Sequence, residues 1–196
     1  MPEIRIAIAG VGNCASALLQ GIEFYKRELK NDNKEYLGVM HREIGGYQPE
    51  DIKIVAAFDI DERKVGRPLE EAIFAAPNCC VRIVDKVESN GVVVNMAPVM
   101  DGFSDHINSY PADQTFLVSN QKPVDVEKVL SKSGAEILIN YLPVGSEKAA
   151  RYYAESCLKT GVSFINCMPA FIVSDPEWSN RFETAGISIV GDDIKS

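Results

Sequence analysis

The chain has 196 residues, enough for one large domain with a substantial core, and 46% hydrophobic against 24% charged residues excludes a disordered chain. Its formal charge of −8 comes without a basic stripe, which argues against a nucleic-acid partner, although local cations and backbone amides can still hold a phosphorylated small molecule. No apolar run reaches the roughly 18 residues of a membrane span and the N-terminus is too short and alternating for a secretory signal, so the expected address is cytoplasmic, with no membrane partner.

In chain order, the first predicted strand is Ile4 to Ala9, ending in Gly10-Val11-Gly12-Asn13. Ala15, Leu18, Leu19, Ile22 and Phe24 then recur at helical spacing to about Leu29. Lys30 to Asp51, with Asn31-Asp32-Asn33, Gly45-Gly46 and Pro49, reads as a loop or insertion. Ile52 to Phe58 is a second strand, Glu70 to Ala76 a short helix, and Val81 to Val84 and Val92 to Val94 are strands about a turn at Asn90-Gly91. Pro98 to Tyr110 has no clear period, and Val124 to Leu130 has helix-start chemistry after Pro123. A strand (Glu136 to Asn140), a helix (Glu147 to Lys159), a strand (Val162 to Asn166), a helix (Asp175 to Thr184) and a strand (Ile187 to Val190) follow. This steady alternation predicts one α/β domain over residues 1–196, a doubly wound, mostly parallel sheet of the NAD(P)-binding Rossmann type.

The strongest local signal is Gly10-Val11-Gly12-Asn13-Cys14-Ala15, directly after a strand and opening a helix. Gly10 permits the tight turn, Gly12 lets backbone approach a diphosphate, and the helix start favours anions; the bland alternative is a glycine turn without a ligand. Asp59, closing an apolar strand, suits the hydroxyls of an adenosine ribose, though it stands 49 positions after Gly10 (59 − 10) rather than the usual ~20 and so needs the insertion. Asp61 is an alternative ribose acid, and the neighbouring Arg63 and Lys64 keep NADP open beside NAD.

Tyr141-Leu142-Pro143-Val144-Gly145-Ser146 and Asn166-Cys167-Met168-Pro169 each follow a strand, on the edge where open α/β sheets bind ligands, or are ordinary turns. Cys167 reads as a small packing residue more readily than as a nucleophile, with no histidine near it in sequence. The five cysteines (Cys14, Cys79, Cys80, Cys157, Cys167) lack regular spacing and read as reduced, and with only His41 and His106 no zinc cage is expected. Gly191-Asp192-Asp193-Ile194-Lys195-Ser196 gathers two carboxylates, an ammonium and a hydroxyl that can stabilise an oxyanion, relay a proton or hold a divalent cation, or form a solvated loop.

Taken together, the blocks Gly10 to Ser16, Ala56 to Asp59, Met100-Asp101-Gly102, Tyr141 to Glu147, Ser174 to Trp178 and Gly191 to Ser196 resemble the inositol-3-phosphate synthase family, also called myo-inositol-1-phosphate synthase. The likeness runs over essentially the whole chain and is nearest to the family's shorter archaeal and actinobacterial branch. It implies an NAD-dependent isomerase of myo-inositol and phospholipid biosynthesis, converting D-glucose 6-phosphate to 1D-myo-inositol 3-phosphate by oxidation, enolisation, aldol cyclisation and reduction. It further implies that Gly10, Gly12, Asn13 and Cys14 form the diphosphate loop, that Asp59 is the ribose acid and that Tyr141, Leu142, Pro143 and Val144 face the cofactor. Asp193 and Lys195 match residues beside nicotinamide and substrate, and Ser196 closes that block.

Arg67-Pro68 departs from the family pattern, in which an acid often follows Val65-Gly66. The family's principal catalytic lysines lie in a following, tetramer-forming domain, so the resemblance makes this chain the cofactor-binding part of a longer homo-oligomeric enzyme. A non-catalytic NAD-binding module and a simple NAD(P)-dependent dehydrogenase are the competing readings.

Overall fold

The computed structural model describes residues 3–28, 38–103, 109–112 and 114–194. In chain order the elements are β1 (Ile4–Ala9), α1 (Asn13–Glu28), β2 (Ile52–Asp59), α2 (Leu69–Ala72), β3 (Val94–Met96) and α3 (Val126–Ser133), then β4 (Ile137–Asn140), α4 (Glu147–Thr160), β5 (Ser163–Asn166), α5 (Pro176–Ala185) and β6 (Ile189–Val190). The strands form one sheet in the order β3-β2-β1-β4-β5-β6, with every neighbouring pair parallel. The α/β doubly wound architecture expected from the alternation is therefore the one adopted.

A central parallel strand must be apolar on both faces, and β1 is: Ile6 to Ala9 are all buried. Its alternation sends Ile6 and Ile8 to one face, against Ala15 and Leu19 of α1 and Leu69 and Ala72 of α2. Ala7 and Ala9 face the other way, and their small side chains admit bulk from above, where Phe58, Leu138 and Phe164 meet Tyr153, Ala154 and Cys157 of α4 and Phe182 of α5. Each fully buried large side chain here contributes about 2 kcal/mol of transfer free energy.

Helix starts follow side-chain chemistry. Asp125 accepts the Lys128 amide and Asp175 the Glu177 amide, with Pro176 at the first position of α5. The helix expected from Val124 opens two residues later, because the Val124 N–H is drawn to the Met96 carbonyl at the end of β3.

Two sequence expectations are corrected. Residues 81–84 form no strand: the buried amide of Gln20 on α1 donates to Val81 O and accepts from Ile83 N and Val84 N, which satisfies the backbone groups a ladder would have used. The strand expected at Val92 to Val94 is shifted toward Val94–Met96, because Val92 and Val94 exchange backbone bonds with Leu69 and Arg67. Of the predicted insertion, residues 30–37 lie outside the described residues; the rest contains an Ile44–Tyr47 bridge and a 3-10 turn at Pro49–Asp51 before β2.

Candidate functional site

Because β1 has β2 on one side and β4 on the other, the chain leaves β1 and β4 in opposite directions and a crevice opens at their C-terminal ends. The crevice is a cavity of about 440 Å3, within the range of small-molecule sites. Its wall includes Gly10, Gly12, Asn13, Cys14, Asp59, Tyr141, Leu142, Pro143, Val144 and Asp193. Asp61, Arg63 and Asp192, also singled out from sequence, do not line it, and Lys195 and Ser196 lie outside the described residues.

The glycine turn is tightly specified. Gly10 has φ +92°, its N–H bonds the Phe58 carbonyl, and a Cβ there would stand 2.7 Å from the Tyr141 carbonyl oxygen. A Cβ at Gly12 would meet nothing within 4 Å, so that glycine is explained by the open cavity beside it and not by the fold. Asp59 grips the loop from the neighbouring strand: Oδ2 accepts the Val11 N–H at 2.7 Å, while Oδ1 accepts those of Ile60 and Asp61, both at 2.8 Å. The first amides of α1 have no carbonyl one turn behind them, and Asn13 turns its own Oδ1 to the Cys79 N–H instead of capping them.

At α4 the opposite holds. Asp101, from the Met100-Asp101-Gly102 block, accepts the Lys148 and Ala149 amides at 2.6 and 3.0 Å, so the chain's own carboxylate already occupies that helix start. Of these two helix starts on the cavity, the one at α1 is left for an anion.

Asp61, the alternative ribose acid, is ruled out. It is wholly buried, and its two oxygens accept Arg63 N, Nε and Nη2 and the Leu117 amide. Arg63 is equally committed, donating also to the Ala112 and Thr115 carbonyls. Lys64 is a different matter: it is 1% exposed, lines the cavity and gives Nζ to the Val11 carbonyl at 2.6 Å. Tyr153 also reaches the cavity from α4, and its buried hydroxyl has no hydrogen-bond partner among the described residues. Tyr153 carries no signal in the sequence, because its buried neighbours Ala149, Ala150, Ala154 and Cys157 make it look like ordinary core.

On the far side, Asn140 and Asn166, both fully buried at the ends of β4 and β5, build a polar hinge. Asn140 donates to Asn166 Oδ1, and Asn166 donates to the Ala170 carbonyl and to Asp192 Oδ1, each at 2.8 Å. Asp192 also accepts the amides of Ile172, Val173 and Ser174. This network brings Cys167, Met168 and Pro169 to the cavity together with Asp193, whose Oδ1 accepts the Ile194 amide.

Burial tends to raise the Asp192 carboxyl, but the Asn166 amide and the three backbone amides outweigh it and hold it below the usual range. Its contribution is therefore present above the unfolded value and lost as pH falls through the lower folded one. Asp192→Asn sets an NH2 group against backbone donors and is expected to cost about 1–3 kcal/mol in urea unfolding at neutral pH.

Burial, with Cys14 and Asp193 nearby, pushes the Cys167 thiol up to about 11, and burial, with Cys167 and Cys14, pushes the Tyr141 phenol up to about 12. Both stay neutral at physiological pH, which agrees with Cys167 as a packing residue. Among the described residues no group of three or more His, Cys, Asp or Glu is arranged to hold a metal ion, and no helix is long and apolar enough to cross a membrane.

The strand order and the crevice at its switch point define the class, a Rossmann-type α/β domain. No family model matches the chain. It is 49% identical to an inositol-3-phosphate synthase of Mycolicibacterium smegmatis over 194 residues, which is 99% of this chain and 51% of that protein. The chain is thus a relative of the inositol-3-phosphate synthases along its whole length, and it spans about half the length of the curated relatives it matches. Among solved structures, Ari2 superposes with a TM-score of 0.82 at 34% identity, covering 99% of this chain and 53% of that one. A myo-inositol-1-phosphate synthase-related protein from Thermotoga maritima shares the fold, with a TM-score of 0.69 at 21% identity over 99% of this chain and 55% of that one.

Proposed function

We propose that the cavity holds NAD and that the chain, over residues 1–196, is the cofactor domain of an inositol-3-phosphate synthase. The observation that carries this reading is the Gly10-Val11-Gly12 turn at the switch point, with its Val11 amide held by Asp59 and its following helix start left open to the cavity. The fit is chemical as well as steric: amides of Gly12, Asn13 and Cys14 suit a diphosphate, and Asp59 keeps acceptor capacity on Oδ2 for a ribose hydroxyl. Leu142, Pro143 and Val144 supply an apolar wall for a nicotinamide ring. The buried Tyr153 hydroxyl, without a partner among the described residues, gains one from a bound ligand or the water ordered by it.

In the full-length protein the reaction proposed is the isomerisation of D-glucose 6-phosphate to 1D-myo-inositol 3-phosphate. NAD supplies reversible oxidation of the sugar and is returned unchanged. Of the cavity carboxylates, Asp59 and Asp101 each accept two or more backbone amides, whereas Asp193 accepts one among the described residues, so proton handling falls to Asp193, with Lys195 beside it in sequence. Ser196 completes that block. A homotetramer working in the cytoplasm belongs to the same reading.

Titration of the chain with NAD⁺ tests the proposal: saturable heat and a melting temperature that rises with ligand concentration are expected. A folded chain that is unmoved by millimolar NAD⁺ and NADP⁺ overturns it.

A further inference from the structure

We propose that Lys64 is the fixed cation for the 5′-diphosphate of the bound nucleotide, an inference that rests on the dinucleotide reading above. Lysine is almost never fully buried without a counter-charge, because removing an ammonium from water is costly. Lys64 is 1% exposed, yet among the described residues its Nζ has a single acceptor, the Val11 carbonyl at 2.6 Å, and no carboxylate within ion-pair distance. An ammonium carries three N–H donors, so most of its capacity is unused in a wall of the cavity.

The neighbouring cation shows what satisfaction looks like in the same turn. Arg63 is neutralised by the buried Asp61 at 2.5 Å. The turn therefore sorts its two basic residues, one to an internal acid and one to the cavity.

Position selects the phosphate. Val11 stands between Gly10 and Gly12, and its peptide groups are gripped at N–H by Asp59 and at the carbonyl by Lys64. The ammonium thus binds the carbonyl directly before Gly12, and Lys64 lines the same cavity as Gly12, Asn13 and Cys14, so its charge and their amides add positive potential on one wall. A 2′-phosphate is the poorer match, since the ribose hydroxyls fall to Asp59, a carboxylate that repels it.

The test is a ligand series of adenosine, 5′-AMP, 2′-AMP, ADP and NAD⁺ titrated into the chain, into Lys64→Met and into Lys64→Arg. Lys64→Met should weaken ADP and NAD⁺ by about ten- to a hundredfold, the range of one charged hydrogen bond, and leave adenosine unchanged; Lys64→Arg should recover part of the loss. An equal loss for adenosine and ADP, no loss for ADP, or a loss confined to 2′-AMP overturns the proposal. If both variants fail to fold, the Nζ resonance of Lys64 in the unaltered chain decides: it shifts with ADP and not with adenosine, or the proposal fails. Absence of NAD⁺ binding by the unaltered chain is a separate result, and it removes the cofactor reading itself.

Discussion

Asp61→Asn is expected to lower the unfolding free energy by about 3 kcal/mol, the scale of removing one partner from a buried ion pair. Four donors converge on this carboxylate, three of them from Arg63 and one from the Leu117 backbone. The amide keeps one acceptor oxygen and turns two N–H groups toward donors that also need an acceptor. Arg63 would then lose its counter-charge while its remaining bonds to Ala112 and Thr115 hold it in place. Those bonds tie Ala112 and Thr115 to the turn after β2, so residues 115–119 should loosen as well, visible as faster amide exchange at Glu62 and Ser119, whose N–H groups bond Leu117 and Ile60.

The pH dependence follows with a definite sign. Burial pushes the Asp61 carboxyl up, but the Arg63 and Leu117 hydrogen bonds and the Arg63 charge overcome this and hold it below its ordinary value. A depressed folded value means that its contribution is complete above the unfolded value of about 3.9 and drains away as pH falls through the lower folded one. Urea midpoints measured from pH 7 down to pH 3 should therefore fall less steeply for Asp61→Asn than for the unaltered chain. Parallel profiles with equal midpoints would show that the pair contributes nothing.

Features carried by short-range pattern were legible in the sequence. The β1 strand, the glycine turn after it and Asp59 at the end of β2 each announce themselves within about ten residues, through alternation, glycine spacing and a terminal acid. The failures came where a distant side chain decided the outcome. Gln20, some sixty positions upstream of the 81–84 run, satisfies backbone groups that β-propensity alone assigns to a ladder.

Lys64 and Asp61 illustrate the same limit at the site. In sequence they belong to a charged turn, Asp61-Glu62-Arg63-Lys64, which offers an alternative ribose acid with two cations beside it and gives no sign of burial. They are buried because residues 115–119, before α3, fold back over that turn, with Asp61 bridged to Val118 and the Ser119 amide bonded to Ile60. Nothing in the local composition of either segment encodes that meeting.

Gly12→Ala should separate binding from folding. Ala at Gly10 would put a methyl group 2.7 Å from a backbone oxygen in a left-handed conformation, and any loss of ligand would be confounded by damage to the turn. At Gly12 the added methyl meets no protein atom within 4 Å. Stability should then stay within about 0.5 kcal/mol, or rise slightly as the unfolded chain loses freedom. The space it enters is the one where a diphosphate must come close to backbone, so NAD⁺ affinity should fall at least about a hundredfold, equivalent to ~2.7 kcal/mol. Calorimetric titration beside thermal unfolding reads both quantities on the same sample. A Gly12→Ala chain that binds NAD⁺ as tightly as the unaltered one would mean that the diphosphate does not rest on this helix start.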